Sequence, residues 1–229
     1  VNLTLHAGEI ITVFNDDFET DKGWTAGLPG DDATTGEWER CDPNGTWWGN
    51  QPVQPEDDHT SGGTMCYVTG QSSPGASRGA NDVDGGKTTL VSPVIDLSDK
   101  ESAKLTYYRW YSSNTGAAPN DDDFVVDVSD DNGSTWHNLE TLSYSDPGWK
   151  KMEFYLEDYI SLTNQVKLRF IAQDYDPGSV VEAAVDDVVI TTCQAGDQQA
   201  PQVTVVQPNG GEILEHGTDY EIRWIASDN

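Results

Sequence analysis

From residue 65 to residue 191 the sequence falls into short apolar runs divided by Gly, Pro, Asp and Asn, and no run sustains a helical period. The clearest is 165–174, where Val166, Leu168 and Phe170 alternate with Lys167 and Arg169. The same period sets Phe124, Val126 and Val128 against Asp127 and Ser129. Such alternation sends one side of a strand into a core and the other toward water. Strands are expected at 65–70, 88–97, 103–112, 123–129, 138–143, 152–156, 165–174 and 182–191, with Pro93 at an edge or bulge. A short strand is expected around 37–40, and Ile11 with Val13 reads as another. This many strands without an amphipathic helix predict an all-β chain, a sandwich or a barrel.

Charge narrows the partners. Among 229 residues, 40 are acidic and 12 basic, for a net charge of −28. Nucleic acid is excluded, because phosphate recognition needs clustered Lys and Arg. Anionic membrane surfaces are disfavoured for the same reason. No run of apolar residues is long enough to span a bilayer, so membrane insertion is not expected. The abundant Asp suits turns and hard-cation sites, although a solvated acidic surface accounts for most of it. Cys41, Cys66 and Cys193 lack zinc-site spacing. One disulfide is possible, as are three free thiols; Cys41 with Cys66 is the expected pair because both flank one long loop.

Residues 27–64 are rich in Gly, Pro, Asp and Thr and read as long surface loops, of the kind that accompany a site or a bound ion. Val1, Leu3 and Leu5 read as a strand within 1–11, either the tail of a preceding module or the first strand. The main domain is expected over 12–193 and a polar linker over 194–201. Residues 202–229 offer only two strands and a turn at Asn209-Gly210-Gly211, too little for an independent core.

Several motifs occur in order: DDFETDKGW (16–24), GEWER (36–40), GGTMCYVTG (62–70), NDVDGGKTTLVSPVIDL (81–97), LTYYRWY (105–111), DDFVVDVSDDNGSTW (122–136), VKLRFIAQD (166–174) and VEAAVDDVVI (181–190). Together they resemble the MAM-like jelly-roll module of large secreted bacterial proteins, which often follows a peptidase domain. They are also similar to the cleaved-adhesin modules of secreted cysteine proteases. The tail PNGGEILEHGTDYEIRWIASD looks like the opening of an immunoglobulin-like or fibronectin-like repeat. The resemblance implies an antiparallel β-sandwich of jelly-roll type, a secreted or cell-surface setting, flanking domains in the same polypeptide, and bound Ca2+.

In modules of this kind the first and last strands lie close together. That would bring Asp17 and Glu19 to Asp186 and Asp187. Converging carboxylates repel unless a cation lies between them, and calcium takes six to eight oxygens. Neighbouring residues on a strand point oppositely, which favours Glu19 and Asp187 as the ligands. Asp82 and Asp84, followed by glycines, resemble half of a calcium loop, and acidic turns explain them equally well. The run Ser129–Trp136 fits an Asp-box, read here as a hairpin: Asn132-Gly133 turns the chain, Asp131 caps the loop and Trp136 packs beneath. Trp47 and Trp48, in a polar loop, either anchor that loop or offer a stacking surface to sugar rings. Tyr107, Tyr108, Trp110 and Tyr111 read as core.

No nucleophile–base set or metal-protease motif is recognisable, and His6, His59, His137 and His216 read as isolated surface residues. The expected function is a non-catalytic, calcium-binding accessory module that tethers, adheres or spaces, within a secreted multidomain protein. The alternative is a carbohydrate-binding module with an extracellular glycan or a cell-surface protein as partner.

Overall fold

A computed structural model describes residues 9–175, 178–194, 202–217 and 219–227. The strand expected at Val1, Leu3 and Leu5 and most of the expected linker lie outside the described residues. Contacts divide the chain into two compact units, one of them Ile10–Cys193, and each is described by itself.

The larger unit is an antiparallel β-sandwich, as expected. Its strands are β1 (Glu9–Asp16), β2 (Thr25–Ala26), β3 (Trp38–Cys41), β4 (Trp47–Trp48), β5 (Gln51–Pro52), β6 (Cys66–Thr69) and β7 (Gly86–Val91). They continue as β8 (Lys104–Ser112), β9 (Phe124–Ser129), β10 (His137–Leu142), β11 (Asp146–Tyr155), β12 (Lys167–Asp174) and β13 (Glu182–Gln194). One sheet runs β11-β8-β13-β6-β3, with β1 also paired to β13; the other runs β10-β9-β12-β7-β2. Alternation places Leu168, Phe170 and Ala172 of β12 and Phe124, Val126 and Val128 of β9 between the sheets. Leu105, Tyr107 and Tyr111 of β8 meet them from the opposite sheet. Phe170 packs edge-on to Tyr107, with ring centroids 5.1 Å apart.

The strand expected over 88–97 is shorter than its pattern. β7 ends at Val91, and beyond Pro93 pairing survives as a single bridge between Ile95 and Val166. Proline has no N–H for the ladder.

The outer face of the β11-β8-β13-β6-β3 sheet is also buried. Cys66, Val68, Trp110 and Ala184 form a second, smaller core, against which Cys41 and Trp149 pack. The segment 42–65 covers it. Trp110 Nε1 donates to the Val53 carbonyl (2.8 Å), Trp149 Nε1 donates to that of Asp57 (3.2 Å), and the His59 ring stacks on Tyr108 at 3.4 Å. Much of the long loop is therefore a lid on a sheet face. Two expectations change here. Trp110 belongs to this second core and Tyr108 is half-buried beneath the His59 ring, while Tyr107 and Tyr111 lie between the sheets. His59 is a packed residue, not an isolated surface one. Cys41 and Cys66 stand directly opposite each other in the β3–β6 register, yet both thiols are free, as is that of Cys193.

In the other unit, β14 (Gln202–Gln207) pairs antiparallel with β15 (Arg223–Ser227). Val203, Val205, Trp224 and Ile225 remain exposed on it.

The Asp-box is a closed hairpin end. Asp131 accepts hydrogen bonds from the backbone N–H and hydroxyl of Thr135 and from the Ser129 hydroxyl, while Gly133 N–H donates to Ser129 Oγ. Arg169 lies 4.4 Å over the Trp136 ring. The bonds from Thr135 lower the Asp131 carboxyl to about 2. Its folded value lies below its unfolded value, so its stabilisation is present above about pH 4 and lost as pH falls toward 2. Asp131→Ala should therefore lower the melting temperature at pH 7. That deficit should shrink on acidification below pH 4, as read by thermal scans at matched ionic strength.

Candidate functional site

The first and last strands meet at a pair of backbone irregularities. Phe18, just past β1, and Asp187, in β13, both adopt left-handed conformations (φ 57° and 49°), which are costly for such residues. At Asp187 the β13–β8 register shifts. The bulge defeats simple alternation, so Asp186 and Asp187 both address the covering segment. Asp186 Oδ2 accepts the backbone N–H groups of His59 (2.8 Å) and Thr60 (3.1 Å), and its Oδ1 accepts that of Asp187. Asp187 Oδ2 lies 2.6 Å from His59 Nδ1, and its Oδ1 accepts the Thr60 hydroxyl. Burial pushes the Asp186 carboxyl up to about 7, against the pull of those N–H groups.

Glu19 reaches the same segment. Its Oε1 accepts the N–H groups of Thr64 and Met65, both at 2.8 Å. A Cβ on Gly63 would strike both Glu19 Oε1 and Asp58 Oδ2, so these oxygens border one point. Asp58 Oδ2 is buried without a hydrogen-bond partner. Burial, then the charges of Glu19 and Asp187, raise the Asp58 carboxyl. Asp17 stands apart, accepting only the N–H of Glu19. The structure thus brings Glu19, Asp58 and Asp187 into one electrostatic neighbourhood and uses Asp186 as a backbone anchor.

A second carboxylate group lies elsewhere. Asp82, Asp84 and Asp174 each offer an oxygen, all within 4.8 Å of one another. The 81–84 loop is clamped by the Thr35–Asp84 and Val83–Val181 bridges. Thr35 Oγ1 donates to the Asp82 carbonyl (2.8 Å) and lies 3.3 Å from Asp84 Oδ2. Burial, then the charge of Asp84, pushes Asp82 up to about 7. Burial raises Asp174, with Asp122 and Asp84 adding to it.

The same loop walls an open, polar cleft of about 340 Å³, lined by Thr35, Glu37, Trp38, Glu39, Gly70 and Asn81 among others. Close approach here needs glycine. A Cβ on Gly70 would strike the Asn81 carbonyl, and one on Gly36 would lie 2.5 Å from the Val83 backbone; both residues have positive φ. The β4–β5 hairpin, with Trp47 and Trp48 42% and 46% exposed, is tied to the cleft wall near its base, where Gln54 Nε2 donates to the Gly70 carbonyl. Arg78 lies 5.2 Å over the Trp48 ring. Gln71 links the two features, bonding Glu39, Asn81 and Asn44.

Asp58, Asp174 and Glu182 escaped the sequence reading. Asp58 sits in a loop where acidic residues abound, and Asp174 joins its partners only through tertiary structure. Glu182 carried a signal: an acidic residue between Val181 and the apolar run Ala183-Ala184-Val185.

No protein-family model matches the chain, and a search of curated proteins finds no match. Among solved structures it is similar to a Stig cyclase, Fisc, from Fischerella (12% identity, 82% of this chain and 100% of that one, TM-score 0.48). It is also similar to a family 11 carbohydrate-binding module from Clostridium thermocellum in complex with a β-1,3-1,4-mixed-linked tetrasaccharide (13%, 83% and 99%, 0.46). A third is the K3 cleaved adhesin domain of Lys-gingipain from Porphyromonas gingivalis (17%, 80% and 99%, 0.39). Likeness at this level transfers no ligand, residue role or activity. Among the described residues no helix is long and apolar enough to cross a membrane.

The anchor role of Asp186 has a direct consequence. Asp186→Ala strands three N–H groups beneath the covering segment, at a cost of about 1–3 kcal/mol. Its denaturation midpoint should fall, and amide exchange at His59 and Thr60 should accelerate ahead of the β9 and β12 amides.

Proposed function

We propose that this chain is a non-catalytic, extracellular binding module that takes carbohydrate in the cleft beside the Trp47–Trp48 hairpin. The observation that carries the reading is the exposed tryptophan pair on a hairpin whose base is bonded to the wall of a polar cleft. Aromatic rings supply a broad apolar face with little entropy to lose, and a few fixed polar groups supply orientation. Glu37, Glu39 and Asn81 are placed for the second task. The cleft volume lies at the small end of ligand sites, enough for one or two sugar rings. His59 adds no catalytic set in this reading: the Thr60 hydroxyl bonds Asp187, the same carboxylate that His59 Nδ1 approaches, so the three serve to tie the covering segment.

The reading includes Ca2+ at the first and last strands, held by Glu19, Asp58 and Asp187, with the unpartnered Asp58 Oδ2 as support. It extends to a secreted multidomain polypeptide in which the module holds flanking domains near a glycan-bearing surface.

Binding to a panel of soluble polysaccharides, read by calorimetry, tests the ligand class. Trp47→Ala and Trp48→Ala should each weaken binding about tenfold, or about 1.4 kcal/mol. Failure to bind any glycan, or unchanged affinity in the double variant, would sink the reading. For the ion, a hundredfold excess of calcium over its Kd should add about 2.7 kcal/mol of stability. Glu19→Gln should remove most of the resulting rise in melting temperature at fixed ionic strength, while Asp57→Asn should keep it.

A further inference from the structure

We infer that a calcium ion binds between Asp82, Asp84 and Asp174, with Glu182 closing the site from the β13 side. The inference rests neither on the glycan reading nor on the site at the first and last strands.

Three oxygens within 4.8 Å of one another suit a single ion. Calcium–oxygen distances are about 2.3–2.6 Å, so ligands on opposite sides of one ion stand about 5 Å apart at most. An acidic cluster alone would prove nothing, and the second observation is independent of it. Glu182 is fully buried, and its Oε1 has no hydrogen-bond partner. The antiparallel Val83–Val181 bridge sets Glu182 across from Asp82, with both side chains on the same face of the pairing. Asp174, 1% exposed, likewise has a buried oxygen, Oδ2, without a partner. Buried polar atoms nearly always find partners, so two orphan carboxylate oxygens, one within the cluster and one on the residue across from Asp82, call for a ligand.

Its charge and hardness follow from the surroundings. Among the described residues no Lys or Arg forms an ion pair with Asp82, Asp84, Asp174 or Glu182. The donors are all oxygen, which disfavours zinc and copper. They come from three separated segments: the 81–84 loop, the end of β12 and the start of β13. Calcium tolerates such irregular geometry, whereas magnesium demands a compact octahedron and keeps its waters. The ion would also brace the cleft, since Asn81 precedes Asp82 and Thr35 bonds this loop.

The full chain, stripped with EDTA and dialysed, is titrated with calcium chloride by calorimetry at constant ionic strength. Asp84 is exposed, so Asp84→Asn spares the core. That variant should lose one calcium equivalent or weaken it at least about tenfold. Asp174→Asn should do the same. Glu19→Gln should leave this equivalent in place, and the surface control Asp99→Asn should match the unaltered chain. Calcium binding by Asp84→Asn with unaltered stoichiometry and affinity would overturn the site, as would the absence of any binding to the unaltered chain at millimolar calcium.

Discussion

A chain with 40 acidic and 12 basic residues folds here into a sandwich that buries more carboxylates than it has cations to meet them. Asp16, Asp82, Asp122, Asp127, Asp174, Glu182 and Asp186 are all buried, against Arg109 alone among the basic residues described. An ion moved from water into protein loses several kcal/mol of solvation, so each needs compensation. Asp127 finds Arg169. Asp16 takes the Trp24 indole N–H and the Phe18 N–H, with the Lys22 ammonium 3.6 Å away. Asp122 takes the Tyr175 N–H and the Ser179 hydroxyl, and Asp186 takes three backbone N–H groups. Donor by donor, backbone N–H groups, an indole and a hydroxyl substitute for the missing basic side chains. Where it does not suffice, the remainder collects at Asp82, Asp174 and Glu182, and around Asp58.

β13 is the strand through which this accommodation reaches the rest of the fold. Ala183 and Val185 face the main core, while Glu182, Ala184 and Asp186 face the other side of the sheet. One strand thus holds the sandwich together with its apolar residues and organises the outer face with its acids. Asp186 pins the 42–65 segment at His59 and Thr60. That segment then buries Trp110 and the flank of Tyr108, which would otherwise be an exposed aromatic stripe. The left-handed backbone at Asp187 is what permits two neighbouring carboxylates to serve one segment.

The sandwich was legible because its strands carry a two-residue period, and period alone assigns faces at Phe124, Val126 and Phe170. The second core was not legible. Tyr107, Tyr108, Trp110 and Tyr111 look alike in sequence; the two-residue period sets Tyr107 and Tyr111 apart from Tyr108 and Trp110, and only the path of a loop decides that the second pair is covered as well. The proximity of Asp17, Glu19, Asp186 and Asp187 was a topological inference, and the structure joins Glu19 to Asp187 through Asp58 while leaving Asp17 aside. Asp82 and Asp84 were visible as a spaced pair. Their partners Asp174 and Glu182 were not, because each joins the pair across a long sequence separation and no local pattern encodes that meeting.

The aromatic hairpin follows the same logic of support from a distance. Two strands of two residues each cannot hold their own geometry in water. Thr46 and Gln54 close the base: the Gln54 N–H donates to Thr46 Oγ1, and the Val53 N–H donates to the Thr46 carbonyl. Gln54 is itself fully buried and donates through Nε2 to the Gly70 carbonyl, on the cleft wall. Trp47 and Trp48 are therefore exposed at their rings but fixed at their root, and the root is shared with the cleft. A flexible loop carrying the same two tryptophans would lose ordering entropy on meeting a ligand. Here much of that ordering is done by folding, which is the physical reason to read the hairpin and the cleft as one surface.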